Sequence, residues 1–288
     1  MKGFVLAAAG SVFWATSGIA GQYLLGYARV SPEWLTLCRL FLAGLLLLFY
    51  DALTHKGDIF SIWNNKKDGI ELFLFGALGM LFTQYGYFVA IKYSNAATAT
   101  VLEYLMPILI VAWYCLKYRR LPYKKELFCS FFAVAGTALI ATHGNFQSLA
   151  ISSKALFWGL LAALACAFYT VEPKRIIQKW RATLVIGWGM LVASIMIAPV
   201  TFYVPVTGNL GWETVAAFLY VVIFGTVLSF SMYLGSVKYI DPGETSIIAA
   251  LEPLASILFS VVIFNMTFGF FELTGMLFII VAVMVVTK

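Results

Sequence analysis

Runs of about 20 apolar residues recur along this 288-residue chain every 20 to 40 residues, from its first residues to its last. A bilayer-spanning helix uses about 20 such residues, so up to about ten crossings fit. Backbone in lipid must pair its own N–H and C=O groups, which leaves helices or a closed barrel. Barrel strands alternate apolar and polar side chains over about ten positions, whereas these runs are apolar all round. The sequence therefore predicts an all-α polytopic membrane protein with ten transmembrane helices. Composition agrees, with 62% hydrophobic and 11% charged residues against roughly 45–50% and roughly 25% in soluble domains.

Breaks at charge, Pro and Gly clusters place the spans near residues 3–26, 32–50, 69–91, 95–116, 126–142, 154–172, 182–204, 213–236, 242–264 and 271–287. The first run resembles a signal peptide, with Ala7-Ala8-Ala9 as a cleavage-like site, but it continues to Leu25. A signal h-region holds only about 7–15 residues, so this run reads as a retained span. Cys38, Cys115, Cys129 and Cys166 fall inside apolar runs without paired spacing, and His55 and His143 lie far apart. These cysteines read as buried hydrophobes, and no metal or cofactor is expected.

With ten spans both termini share a side, and pooling alternate loops tests which side that is. Fifteen basic residues, Lys56, Arg175, Lys179, Arg181, Lys238 and Lys288 among them, fall on the side of the termini. Only Arg29, Lys92 and Lys154 fall on the other, and Arg39 lies inside span 2. That bias predicts a multi-pass protein of the cytoplasmic membrane with both termini in the cytoplasm. Because the basic residues sit in short clusters between apolar runs, nucleic acid is not an expected partner.

Shifting the chain against itself by 146 positions aligns Gly79 with Gly225, Tyr87 with Tyr233, Lys92 with Lys238, Tyr93 with Tyr239 and Pro107 with Pro253. Glu126 likewise meets Glu272, and the nine identities over 54 positions exceed the roughly four expected by chance. A shift of 152 aligns Ala7, Ser11 and Ala15 of span 1 with Gly159, Ala163 and Ala167 of span 6. Small residues at every fourth position let a neighbouring backbone approach closely, although Ala-rich helices can produce this spacing without a repeat. The repeat reading gives units 1–143 and 154–288 of five spans each. An odd number of spans inverts the second unit, an arrangement in which secondary transporters bind substrate near the midplane.

Ten spans in a five-plus-five repeat, the Ala-rich first helix with Phe13-Trp14-Ala15, Arg39 in span 2, Glu103 to Pro107 in span 4 and Glu252-Pro253 in span 9 together resemble the EamA-type transporters of the drug/metabolite transporter superfamily. The resemblance covers the whole chain. It implies alternating access, spans 1, 3, 4, 6, 8 and 9 around a central cavity, peripheral spans 5 and 10, and a small-molecule substrate.

Of the 13 acidic residues, Glu103 and Glu252 sit deep in apolar runs. An intramembrane carboxylate costs about 2.5–3.5 kcal/mol on insertion scales, so it faces a partner or a watery cavity. At 1.5 Å per residue Glu103 lies about 12 Å and Arg39 about 10 Å below one surface, and Glu252 about 15 Å from the other. Glu103 and Arg39 therefore read either as a fixed pair joining spans 2 and 4 or as substrate groups. Glu252 has no obvious basic partner and is the stronger candidate for a substrate or proton site. Pro107 stands four residues after Glu103 and Pro253 directly after Glu252, and both predict kinks that act as hinges or shape the helices. Trp14, Thr83, Gln84, Tyr85, Tyr87, Thr98, Thr100, Tyr169, Ser229, Ser231, Tyr233, Thr245 and Ser246 are candidate lining residues, packing being their alternative fate.

Aromatic rings beside carboxylates suit an amine, and Arg39 suits a carboxylate. The expected function is secondary transport of an amino acid or related amine, export before import, with protons as a coupling partner through Glu252 or Glu103. The lack of a Gly-x-x-x-x-Gly-Lys-Ser/Thr loop argues against nucleotide hydrolysis. An intramembrane enzyme is the rival reading, but the chain has no His-Glu-x-x-His or Gly-x-Ser-x-Gly motif. A noncatalytic scaffold or receptor would call for longer loops. One chain contains both repeats, so a monomer suffices for transport, and an oligomer is compatible with it.

Overall fold

The computed structural model describes residues 1–55, 58–145, 150–209, 211–236, 239–240 and 248–286. Lys56, Lys238, Thr245, Ser246, Lys288 and the first residues expected in span 9 lie outside the described residues. All regular structure among the described residues is helical. Span 1 is α1 (Lys2–Gly26) and span 2 is α2 (Pro32–His55). Span 3 joins α3 (Lys66–Leu74) to α4 (Leu81–Tyr93) through a π-helical segment, Phe75–Met80. Span 4 consists of α5 (Ala96–Glu103) and α6 (Met106–Lys117), span 5 is α7 (Lys124–Thr142), and span 6 is α8 (Ser153–Val171).

After the short helix α9 (Lys174–Lys179), span 7 is α10 (Ala182–Thr201). Span 8 joins α11 (Trp212–Val222) to α12 (Ser229–Ser236) through a second π-helical segment, Ile223–Leu228. Spans 9 and 10 are α13 (Leu251–Phe264) and α14 (Phe270–Val286). The first eight spans are long and apolar enough to cross a bilayer, and the last two are shorter apolar helices.

Span 4 is broken where a kink was expected. A proline ring clashes with the carbonyl four residues earlier, here that of Glu103. The chain avoids this by ending α5 at Glu103, turning through Tyr104 and Leu105, and restarting with Pro107 in the first turn of α6. A proline there displaces no helical hydrogen bond, because first-turn N–H groups have no partner inside the helix. Pro253 likewise stands in the first turn of α13, directly after a turn at Ala250. Span 2 outruns its expected end at residue 50 and reaches His55. Its added turn carries Asp51, whose fully buried side chain is bound by Arg181.

Lipid tails are as apolar as leucine, so close packing rather than water exclusion holds membrane helices together. Spans 5 and 10 show this at Gly136 and Gly275. A Cβ on Gly136 would stand 2.5 Å from the Gly275 carbonyl oxygen, and one on Gly275 would stand 2.6 Å from that of Gly136. Around this contact Cys129, Ile140, Met276 and Ile279 are buried together. Spans 2 and 7 bury Leu40, Leu47, Leu184 and Met190 in a second cluster.

Polar contacts differ between the two faces of the bundle. On the face that carries Lys2 and His55, Asp51 and Asp68 have fully buried side chains. Arg181 grips Asp51 through Nη2 at 2.6 Å and Nε at 2.9 Å. Asp68 accepts from Arg175 at 2.7 Å, Lys179 at 2.6 Å and the Trp180 indole at 2.9 Å, and Arg175 also reaches Glu71 at 2.8 Å. Hydrogen bonds to Glu71 and Asp68 hold the Arg175 guanidinium above the ordinary arginine value. The basic residues that the sequence marks for orientation thus also brace spans 2 and 3 against the segment between spans 6 and 7. On the other face His143 approaches Glu272 at 3.7 Å, and hydrogen bonds link Tyr23 to Glu213 at 3.2 Å, Trp34 to the Val204 carbonyl at 3.0 Å, and the Asn209 amide to the Ala28 carbonyl at 2.9 Å.

Candidate functional site

The breaks in spans 4 and 9 bring Glu103 and Glu252 to one central cavity of 350 Å³, within the range of small-molecule sites. Glu103 is the last residue of α5, and Glu252 is the second of α13. Trp14, Arg39, Gln84, Tyr87, Tyr169, Tyr233 and Pro107 line the same cavity. Its walls run from Thr100, Ser17 and Gln84 down to Thr170 and Ile177 at the face that carries Lys2.

One wall is aromatic. Trp14 packs edge-on to Phe230 at 5.1 Å and tilted against Tyr233 at 5.0 Å, while Tyr169 meets Phe75 edge-on at 6.2 Å. The Tyr87 hydroxyl is 2.8 Å from that of Thr100, which stands 3.5 Å from Ser256 of span 9. These hydrogen bonds tie spans 3, 4 and 9 at the cavity edge. Ring faces and two carboxylates around one space favour a cation.

Arg39 is 4% exposed and crosses from span 2 to span 8. Its Nε donates to the Thr226 hydroxyl at 2.9 Å, one Nη donates to the Gly225 carbonyl at 3.3 Å, and the guanidinium lies 5.1 Å from the Phe88 ring. Thr226 and Gly225 belong to the π-helical segment of span 8, whose widened turn supplies this carbonyl. Among the described residues Arg39 forms no ion pair with Glu103, and its hydrogen bonds link spans 2 and 8 rather than spans 2 and 4. A guanidinium has five N–H donors, so three remain for a ligand.

Other candidates stand apart from this cavity. Tyr85 donates to Glu33 at 2.8 Å and packs edge-on to Trp158. Ser229 donates to the Phe224 carbonyl, and Ser231 donates to Val227 at 2.6 Å, both within span 8. Thr83 and Thr98 are buried outside the lining, as is Pro253. Ser17, Tyr104, Met106, Phe230 and the buried Cys166 also line the cavity, although the sequence does not mark them as lining residues. Ser17 and Cys166 belong to helices rich in small residues, a signal that marks close packing without distinguishing a neighbouring helix from a cavity.

An all-helical bundle of apolar spans, with broken helices presenting charge to a central cavity, defines a polytopic membrane transporter fold. The EamA-like transporter family matches residues 1–142 and 153–288, and the chain belongs to that family and so to the drug/metabolite transporter superfamily. It is 38% identical over 292 aligned residues to the uncharacterized inner membrane transporter YicL of Salmonella typhimurium, covering 99% of this chain and 95% of the relative. It is 23% identical to the uncharacterized transporter YyaM of Bacillus subtilis, covering 95% and 90%. An uncharacterized transporter of Archaeoglobus fulgidus is 27% identical over 69% of this chain and 70% of its own. A solved crystal structure shares the fold with a TM-score of 0.66 over 98% of this chain and 95% of that one, at 17% identity.

Proposed function

We propose that the protein is a secondary transporter that carries an amino acid or related small amine across the cytoplasmic membrane, in the export direction, by alternating access between two inverted five-span repeats. The observation that carries this reading is the meeting of Arg39, Glu103 and Glu252 in one aromatic-walled cavity. A zwitterion would place its carboxylate on the free donors of Arg39 and its ammonium between the carboxylates and the rings. The cavity reaches the face that carries Lys2, which the basic-residue bias assigns to the cytoplasm, and an exporter loads from that side. Glu252 or Glu103 would exchange protons with the transported amine.

Contacts that recur between the halves support the inverted repeat. Lys2 sits over the Tyr239 ring at 5.3 Å, and Lys154 sits over the Tyr93 ring at 5.0 Å. The two lysines differ by 152 positions and the two tyrosines by 146, the same shifts found in the sequence. Gly79 packs against Tyr169 of span 6, as Gly225 packs against Ser17 of span 1, with the same two shifts. Glu126 accepts from the Tyr123 amide at 2.8 Å as span 5 begins, and Glu272 accepts from the Gly269 amide at 3.3 Å as span 10 begins. Those two helices start on opposite faces of the bundle.

Proteoliposomes preloaded with radiolabelled amino acids or amines test the function directly. Saturable counterflow of at least one of them is expected, and no saturable flux across a panel of amino acids, polyamines and aromatic amines would refute it. An intramembrane enzyme or a scaffold predicts no such flux.

A further inference from the structure

Spans 3, 4 and 6 enclose a second cavity, of 570 Å³, on helix faces other than those that line the central one. Its walls are apolar, with Phe82, Leu109, Trp113, Leu164 and Phe168 along its length. Trp113 and Leu164 are 53% and 56% exposed, so the groove lies open toward the bilayer. Two charges stand at one end, Lys117 at the close of α6 and Glu172 just after α8. The Glu172 Oε2 atom is buried and accepts no hydrogen bond among the described residues. Arg175, three residues on, donates to Glu71 and Asp68 instead. The Lys117 ammonium forms no ion pair among the described residues and lies 6.0 Å from the Tyr118 ring.

We propose that this groove binds a glycerophospholipid with a primary ammonium headgroup, its acyl chain along the apolar wall, its phosphate at Lys117 and its ammonium at Glu172. Charge complementarity selects this occupant. An anionic lipid would satisfy Lys117 but place its negative headgroup beside Glu172, whereas a neutral amphiphile would leave both charges unanswered. An ammonium can donate hydrogen bonds to the buried carboxylate oxygen, which a trimethylated headgroup cannot do. The site is separate from the proposed transport cavity, and its test needs no transport.

Native mass spectrometry of the full chain, titrated in detergent with phosphatidylethanolamine, phosphatidylcholine and phosphatidylglycerol of identical acyl chains, tests the proposal. Phosphatidylethanolamine is expected to bind about fivefold more tightly than either of the others, the scale of one interfacial charge contact. Glu172→Gln should erase that preference, Lys117→Gln should weaken all three lipids by a similar factor, and Leu164→Trp should lower occupancy by filling the groove. Thermal unfolding of each variant confirms that it is folded. Equal affinities for the three lipids, detergent as the sole adduct, a preference that survives Glu172→Gln, or binding indifferent to Leu164→Trp would overturn it.

Discussion

In the proposed repeat, spans 4 and 9 occupy corresponding places, yet they carry their carboxylates on opposite sides of the helix break. Glu103 closes α5, whereas Glu252 opens α13. With Pro107 aligned on Pro253, Glu103 corresponds to Ala249 and Glu252 to Met106, so neither carboxylate is the repeat of the other. A helix end carries partial charge, negative where carbonyls are left over and positive where N–H groups are left over. Glu103 therefore adds to an end that already attracts a cation, and Glu252 reverses an end that would repel one. The two carboxylates thus stand in unlike fields around one cavity.

The difference ranks the consequences of removing each. In Glu252→Gln an amine would face the N–H end of α13 with no carboxylate to offset it. Transport in proteoliposomes should fall by about 30-fold or more, the scale of a truncated buried charge contact, and what remains should lose its pH dependence. Full transport with an unchanged pH profile would remove Glu252 from the site. Glu103→Gln leaves the α5 carbonyls facing the amine, so the expected loss is smaller, about tenfold. Adding Met106→Glu to that variant places a carboxylate where span 9 carries one, and recovery of part of the flux would show that the break matters more than the side of it. A Glu103→Gln loss equal to that of Glu252→Gln would erase the ranking.

Much of this architecture was legible because its causes are local. Apolar length gives the spans, and Glu126 and Glu272 align because each caps the first turn of its helix. Tyr93 and Tyr239 align because each receives a lysine from the helix beside it. Depth along the chain also brought Glu103, Glu252 and Arg39 to one level. It could not say that Arg39 reaches span 8, because that contact depends on a π-helical turn without a sequence marker of its own. The burial of Asp51 and Asp68 likewise has no marker in the sequence. Asp51 stands one residue past the expected end of span 2 and Asp68 follows Lys66 and Lys67, and only the docking of the segment between spans 6 and 7 gives them their partners.

That brace supplies a contrast of faces to set beside the contrast of breaks. Asp68→Asn would leave Arg175 and Lys179 with weakened partners while keeping the shape of the side chain. Because those two cations are partly exposed, the loss of stability should be about 1–3 kcal/mol, below the cost of breaking a fully buried pair. Thermal unfolding in detergent reads it, and Tyr23→Phe on the other face should shift the midpoint less, since it removes one exposed hydrogen bond. Equal shifts would mean that the faces are braced alike.

The smallest effect is expected at the prolines themselves. Pro107 and Pro253 stand in first turns, where a proline costs no hydrogen bond, so alanine at either position should change stability by less than about 1 kcal/mol. Alanine also removes the ring that keeps α5 and α6 apart, so the two variants ask whether the break persists without it. Tyr104 and Leu105 already bond to Thr100 at 2.9 Å and Leu102 at 3.1 Å, contacts that hold the turn independently of the ring. Pro107→Ala should accordingly keep most of its flux. A large loss of flux with unchanged thermal stability would show that the ring holds Glu103 at the end of its helix, and that the two breaks differ in their maintenance as well as in their charge.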